Sequence, residues 1–169
     1  KTARAMIEEE LDWGRRFLAG MEDAEQPKRL VFADTHPGNF LIDGEGRAYC
    51  VDLEKAVYGS PAVDLAHTTL YTSTTWDIDS AAVVAPRDVE RFYAAYLGLV
   101  PEGLRDALLP WLMPYRRITW LWSVTWCSMW LTEHAKERRV DLASAPSTED
   151  WSADGVDDRL IAHVRGRCL

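Results

Sequence analysis

The stretch from Leu30 to His67 constrains this chain most. Two short apolar runs, Phe40-Leu41-Ile42-Asp43 and Ala48-Tyr49-Cys50-Val51, flank the turn-forming Gly44-Glu45-Gly46. That pattern predicts a strand–turn–strand hairpin. A hairpin brings its two ends together. Asp34 and Asn39 enter one end and Asp52 leaves the other, so three oxygen-bearing side chains are expected to converge. Pro37-Gly38 sharpens the loop between Asp34 and Asn39. These residue types suit phosphoryl transfer. A carboxylate can position or deprotonate a hydroxyl nucleophile. An amide oxygen and a second carboxylate are hard ligands for the Mg²⁺ that neutralises a triphosphate.

Each residue alone has a plainer reading. Asp34 by itself would be an Asx-turn residue, but Asn39 and Asp52 at these spacings weigh against that. Asp43 reads as a turn residue of the hairpin. Glu54 either supports a metal through water or is surface. His36 either packs the loop or contacts phosphate. Asp64 lies between apolar residues on a helix that Ser60-Pro61 opens, where burial with backbone partners is expected.

Three linked motifs carry a family resemblance. They are Phe32-Ala33-Asp34-Thr35-His36-Pro37-Gly38-Asn39, then Val51-Asp52-Leu53-Glu54, then Gly59-Ser60-Pro61-Ala62-Val63-Asp64-Leu65-Ala66. In order and spacing they resemble the pattern H-G-D-x-H-x-x-N, I-D-W/x-E and G-D-P-x-x-D-L-A of the aminoglycoside phosphotransferase and choline kinase superfamily. The resemblance implies an α+β, mostly helical fold: a protein-kinase-like C-terminal lobe with a small catalytic hairpin and a helical subdomain. Residues 1–70 would form the catalytic core and residues 71–169 the acceptor-binding subdomain. It also implies transfer of the terminal phosphate of ATP or GTP to a small-molecule hydroxyl. Asp34 would be the catalytic base, and Asn39 and Asp52 would be the Mg²⁺ and cofactor ligands. Asp64 would hydrogen-bond the catalytic-loop backbone, with Glu54 and His36 in support. An aminoglycoside-like acceptor leads, choline or another amino alcohol is the close rival, and an inactive kinase-like binding module is the reading of a different class. Two departures stand out. Phe32 replaces a histidine, which costs a polar contact and no reacting group. Ser60 replaces an aspartate, yet Ser caps helices well and Pro61 suits a first helical turn.

Composition narrows the partners. The 169 residues carry a net charge of −8, which argues against nucleic acid or an anionic membrane and is compatible with a cationic acceptor. Most cytosolic proteins are mildly acidic, and that plain explanation carries more weight. Cys50, Cys127 and Cys168 are odd in number and far apart, as expected of a reduced cytoplasmic protein. Leu108 to Met129 is apolar but interrupted by Pro110, Pro114 and Arg116-Arg117, so it is not a membrane span. No Gly-rich loop and no strand-borne lysine with a helical glutamate precede Asp34. The expected unit is therefore a C-terminal lobe, without its nucleotide-covering partner and not expected to turn over unaided. Nothing in the sequence fixes the oligomeric state.

The flanking regions read as helical. Thr2 to Leu18 is amphipathic, with Gly20 as a stop. Ser60-Pro61 opens a helix to about Tyr71. Arg87 to Leu97 follows, then a short helix from Pro101 that ends before Pro110. The longest helix is expected from Tyr115 to about Arg138, with Arg138 and Arg139 complementing its negative end. It carries Trp120, Trp122, Trp126 and Trp130, of which the last three recur every four residues and drift along one side. They read as a core stripe, with an aromatic wall for a quaternary ammonium as the rival. Asp77 and Asp79 read as loop and cap residues before contacts to a cation. Residues 141–155 read as a long loop, and Val156 to Val164 as a last short helix.

Overall fold

The computed structural model describes residues 2–21, 24–137 and 158–168. The Thr2 hydroxyl accepts the Ala5 N–H at 3.4 Å and caps α1 (Ala3–Gly20). Phe17 of α1 and Met21 just beyond it pack on the main core. β1 (Arg29–Val31) follows. The expected hairpin forms as β2 (Phe40–Ile42) against β3 (Ala48–Cys50), with Phe40 opposite Cys50 and Ile42 opposite Ala48. Asp43 builds its turn. Its carboxylate accepts the N–H groups of Glu45 and Arg47 at 2.9 Å and the Arg47 guanidinium at 2.8 Å. The bonds from Arg47 hold the Asp43 carboxyl below its ordinary value.

A second two-stranded sheet was not anticipated. β4 (Val57–Gly59) pairs antiparallel with β1, Arg29 opposite Gly59 and Val31 opposite Val57. Three residues are too few to show alternation, so only tertiary proximity reveals the pair. It brackets the segment between them: the chain leaves β1 for the loop and hairpin, then returns to β1 through β4.

The remainder is helical. α2 (Ala62–Thr69) starts where Ser60 Oγ accepts the Ala62 N–H at 3.4 Å. The helix expected to reach Tyr71 stops at Leu70, whose extended backbone separates it from α3 (Tyr71–Thr74). Next come α4 (Pro86–Leu99), α5 (Glu102–Glu137) and α6 (Asp158–Cys168). The expected break before Pro110 does not occur, because α5 runs through both Pro110 and Pro114. Each interior proline costs about 3 kcal/mol. Leu108, Trp111 and Leu112 are nevertheless buried against Ala62 and Leu65 of α2. At about 1.5–3 kcal/mol per buried side chain, that packing is of the same size as the cost of the two prolines and offsets it. A second cluster joins Cys127 and Trp130 of α5 to Val164 of α6, with Trp76 and Trp126 at its edge.

Arg138, Arg139, the 141–155 segment and Val156 lie outside the described residues. No described helix is long and apolar enough to cross a membrane.

Candidate active site

Asp64, in the first turn of α2, fixes the loop after β1. Its two carboxylate oxygens accept the N–H groups of Phe32 and Ala33, each at 2.8 Å. Burial raises the Asp64 carboxyl above its ordinary value and outweighs the opposing pull of those bonds. Ala33 sits at φ 62°, a left-handed conformation that costs a residue with a Cβ about 1–2 kcal/mol. The family pattern has glycine at this position. Ala33 is thus a third departure, which the sequence reading passed over.

The next residue is Asp34, whose side chain is 13% exposed. Asn39 is buried and donates from Nδ2 to the Asp34 carbonyl at 2.9 Å. This closes the loop and leaves Oδ1 as the amide's acceptor. His36 caps the turn: Nδ1 accepts the Gly38 N–H at 3.2 Å, and Nε2 lies 4.0 Å from Asp34 Oδ1. A Cβ on Gly38 would lie 2.9 Å from the His36 ring, so the closure needs glycine there. Burial lowers the His36 pKa, against the opposing charge of Asp34.

Asp52 arrives from the other end of the hairpin. The Val51 N–H donates to the Asn39 carbonyl at 2.9 Å, one step beyond the Phe40–Cys50 pair. Asp52 therefore emerges beside Asn39, exposed and at φ 61°. Asp34, Lys55, Asp77 and Asp52 all act electrostatically on the His36 ring. Asp34, Asn39 and Asp52 are thus gathered at one end of the hairpin. Glu54 is exposed in the turn that follows.

Two further residues belong to the site. A turn closed by the Ala56 N–H on the Leu53 carbonyl swings Lys55 back, and its Nζ lies 3.0 Å from Asp34 Oδ2. A lone lysine after an acidic triplet gave no sign of this. His67 lies three residues after Asp64 on the same face of α2, a spacing that could have singled it out. Its Nδ1 accepts the Thr35 N–H at 3.1 Å and lies 3.0 Å from Ser73 Oγ. Burial lowers its pKa from 6.5 to about 4.

A cavity of about 360 Å³ opens beside Asp34 and Lys55, walled by Trp76, Trp122, Trp126 and Met129. The tryptophan stripe therefore divides. Trp130 is buried in the second core cluster, whereas Trp122 is 55% exposed at the cavity. Asp77 serves its own loop: its carboxylate accepts the Ser80 hydroxyl at 2.6 Å and the Ser80 N–H at 3.2 Å.

Among the described residues, no three His, Cys, Asp or Glu side chains form a metal cage. Mg²⁺ does not need one. It is held by one or two protein oxygens, with substrate phosphates and water completing its shell. The Asn39 amide oxygen and the Asp52 carboxylate are hard donors of that kind, and they fit.

A family model described as "Phosphotransferase enzyme family" matches residues 2–111, from α1 through the loop, both sheets and α2 into α5. No curated protein and no solved structure matches the chain.

Proposed function

The chain belongs to the phosphotransferase enzyme family, and from that membership we propose that it transfers the terminal phosphate of ATP or GTP to a hydroxyl of a small molecule. The observation that carries the reading is the nearly buried Asp34 carboxylate, set against a cavity and beside the Asn39–Asp52 end of the hairpin.

The acceptor hydroxyl would enter the cavity and meet Asp34. Lys55 holds Oδ2 at 3.0 Å, which leaves Oδ1 for the acceptor. Asp34 aligns the hydroxyl and takes its proton as the new P–O bond forms. The bond to the leaving nucleoside diphosphate breaks in the same exchange. Asn39 and Asp52 would hold Mg²⁺, which supplies charge neutralisation at the nucleotide phosphates. Most of the acceleration comes from positioning and fixed charge. The loop is built for that, because Asp64 and Asn39 fix its backbone at both ends.

In the complete protein, Asp34→Asn is expected to lower kcat by about 10²–10⁴-fold, with Mg²⁺·ATP affinity retained. An undiminished rate would remove Asp34 from the reaction. The direct Lys55–Asp34 bond favours a second reading, a kinase-like binding module without turnover. Mg²⁺·ATP binding by the wild type, without transfer to any hydroxylated acceptor, would select it.

A further inference from the structure

We infer that the cavity beside Asp34 takes an uncharged alcohol with a flat apolar body, in preference to a polyamine or a quaternary ammonium compound. This rests on the phosphotransferase reading and names the acceptor class for that same site.

The charge of the cavity is the first ground. Among the described lining residues, Asp34 is the one carboxylate and Lys55 the one Lys or Arg. They are paired at 3.0 Å, so their charges cancel. His67 also lines the cavity and, with a pKa of about 4, is neutral at neutral pH. Asp77 stands just outside the lining, with its carboxylate bonded to Ser80 and to the Asp79 N–H. Among the described lining residues, an aminoglycoside would find one carboxylate, Asp34, already paired with Lys55, for its several ammonium groups. A single cation close to Asp34 would also sit close to Lys55, whose repulsion offsets the attraction of the carboxylate.

The aromatic wall is the second ground. Tryptophan faces attract cations, which is the best argument for choline. Yet the Arg167 guanidinium already lies 5.1 Å from the centre of the Trp76 ring. Trp76 and Trp126 meet edge to face at 4.8 Å, so their edges and faces are partly spent on each other. What remains is the exposed area of Trp122 and Met129, 55% and 50% of each residue. Apolar surface of that kind next to a catalytic carboxylate is matched by a flat hydrocarbon body bearing one hydroxyl.

The test is a titration of tryptophan emission in the whole 169-residue chain, without nucleotide, against 2-phenylethanol, choline and kanamycin. The expected result is saturable quenching by 2-phenylethanol, with a Kd at least about tenfold below those of choline and kanamycin. Lys55→Met leaves Asp34 without its counter-ion, so the preference for 2-phenylethanol over choline should shrink by about tenfold. Lys55→Arg should keep it. The inference is overturned if choline or kanamycin binds wild type as tightly as 2-phenylethanol. It is equally overturned if 2-phenylethanol does not saturate, or if a folded Lys55→Met chain keeps the wild-type preference. Because no nucleotide is present, such a failure removes the acceptor class alone. The phosphotransferase reading falls only with the Asp34→Asn assay.

Discussion

Asp64 carries two backbone amides on its two oxygens, and one of them belongs to a residue held at positive φ. Asp64→Ala would strand both N–H groups and release Ala33 from its left-handed conformation. A loss of about 2–4 kcal/mol in urea unfolding is expected. A loss within a few tenths would mean that the loop is held some other way. At this scale the sequence was legible where spacing and chemistry coincide. Asp34, Asn39 and Asp52 stood out because a hairpin must bring them together. Lys55 did not, because one turn between Leu53 and Ala56 decides whether a lysine meets solvent or Asp34. The strain at Ala33 was hidden in the same way, since φ is set by Asp64, a residue far along the chain.

The long helix α5 is the clearest contest between local rule and packing. Its prolines lack the N–H that would bond the carbonyls of Asp106 and Pro110. Leu108, Trp111 and Leu112 keep it helical by their burial against α2. Pro114→Ala restores one helical hydrogen bond but gives the unfolded chain more freedom, worth about 0.4–1 kcal/mol. A net gain of about 2–2.6 kcal/mol is expected, read as a higher urea midpoint at unchanged m-value. A lower midpoint would show that the proline shapes the contact with α2. The expected break at Pro110 followed a sound local rule that could not see α2. The β2–β3 hairpin was readable because its turn and both strands are contiguous. The β1–β4 pair was not, because its two strands carry too few residues for a pattern and meet only through the fold.

At the scale of the molecule, Asp64 and His67 of α2 tie the loop to a helix whose other face, Ala62 and Leu65, is in the helical core, and His67 links the loop to α3 through Ser73. Its folded pKa of about 4 lies below the ordinary 6.5. Between those values the unfolded chain binds a proton that the folded chain refuses. The stability from neutral His67 is thus complete above pH 6.5 and is lost as pH falls towards 4, by about 3 kcal/mol. Urea midpoints across that window should fall for wild type and change much less for His67→Gln. Parallel profiles would contradict the assignment. The helical half was legible as helices, and an aromatic wall stood as the rival to a core stripe, but which tryptophan did which was not legible, because amphipathic spacing does not distinguish Trp122 at a cavity from Trp130 in a core. The central claim is phosphoryl transfer to an alcohol by the site around Asp34. Phosphorus NMR of the complete protein with Mg²⁺·ATP and hydroxylated acceptors tests it most directly. A new phosphomonoester resonance that grows with nucleoside diphosphate and disappears in Asp34→Asn is the predicted result. Release of pyrophosphate, or of inorganic phosphate alone, would contradict it.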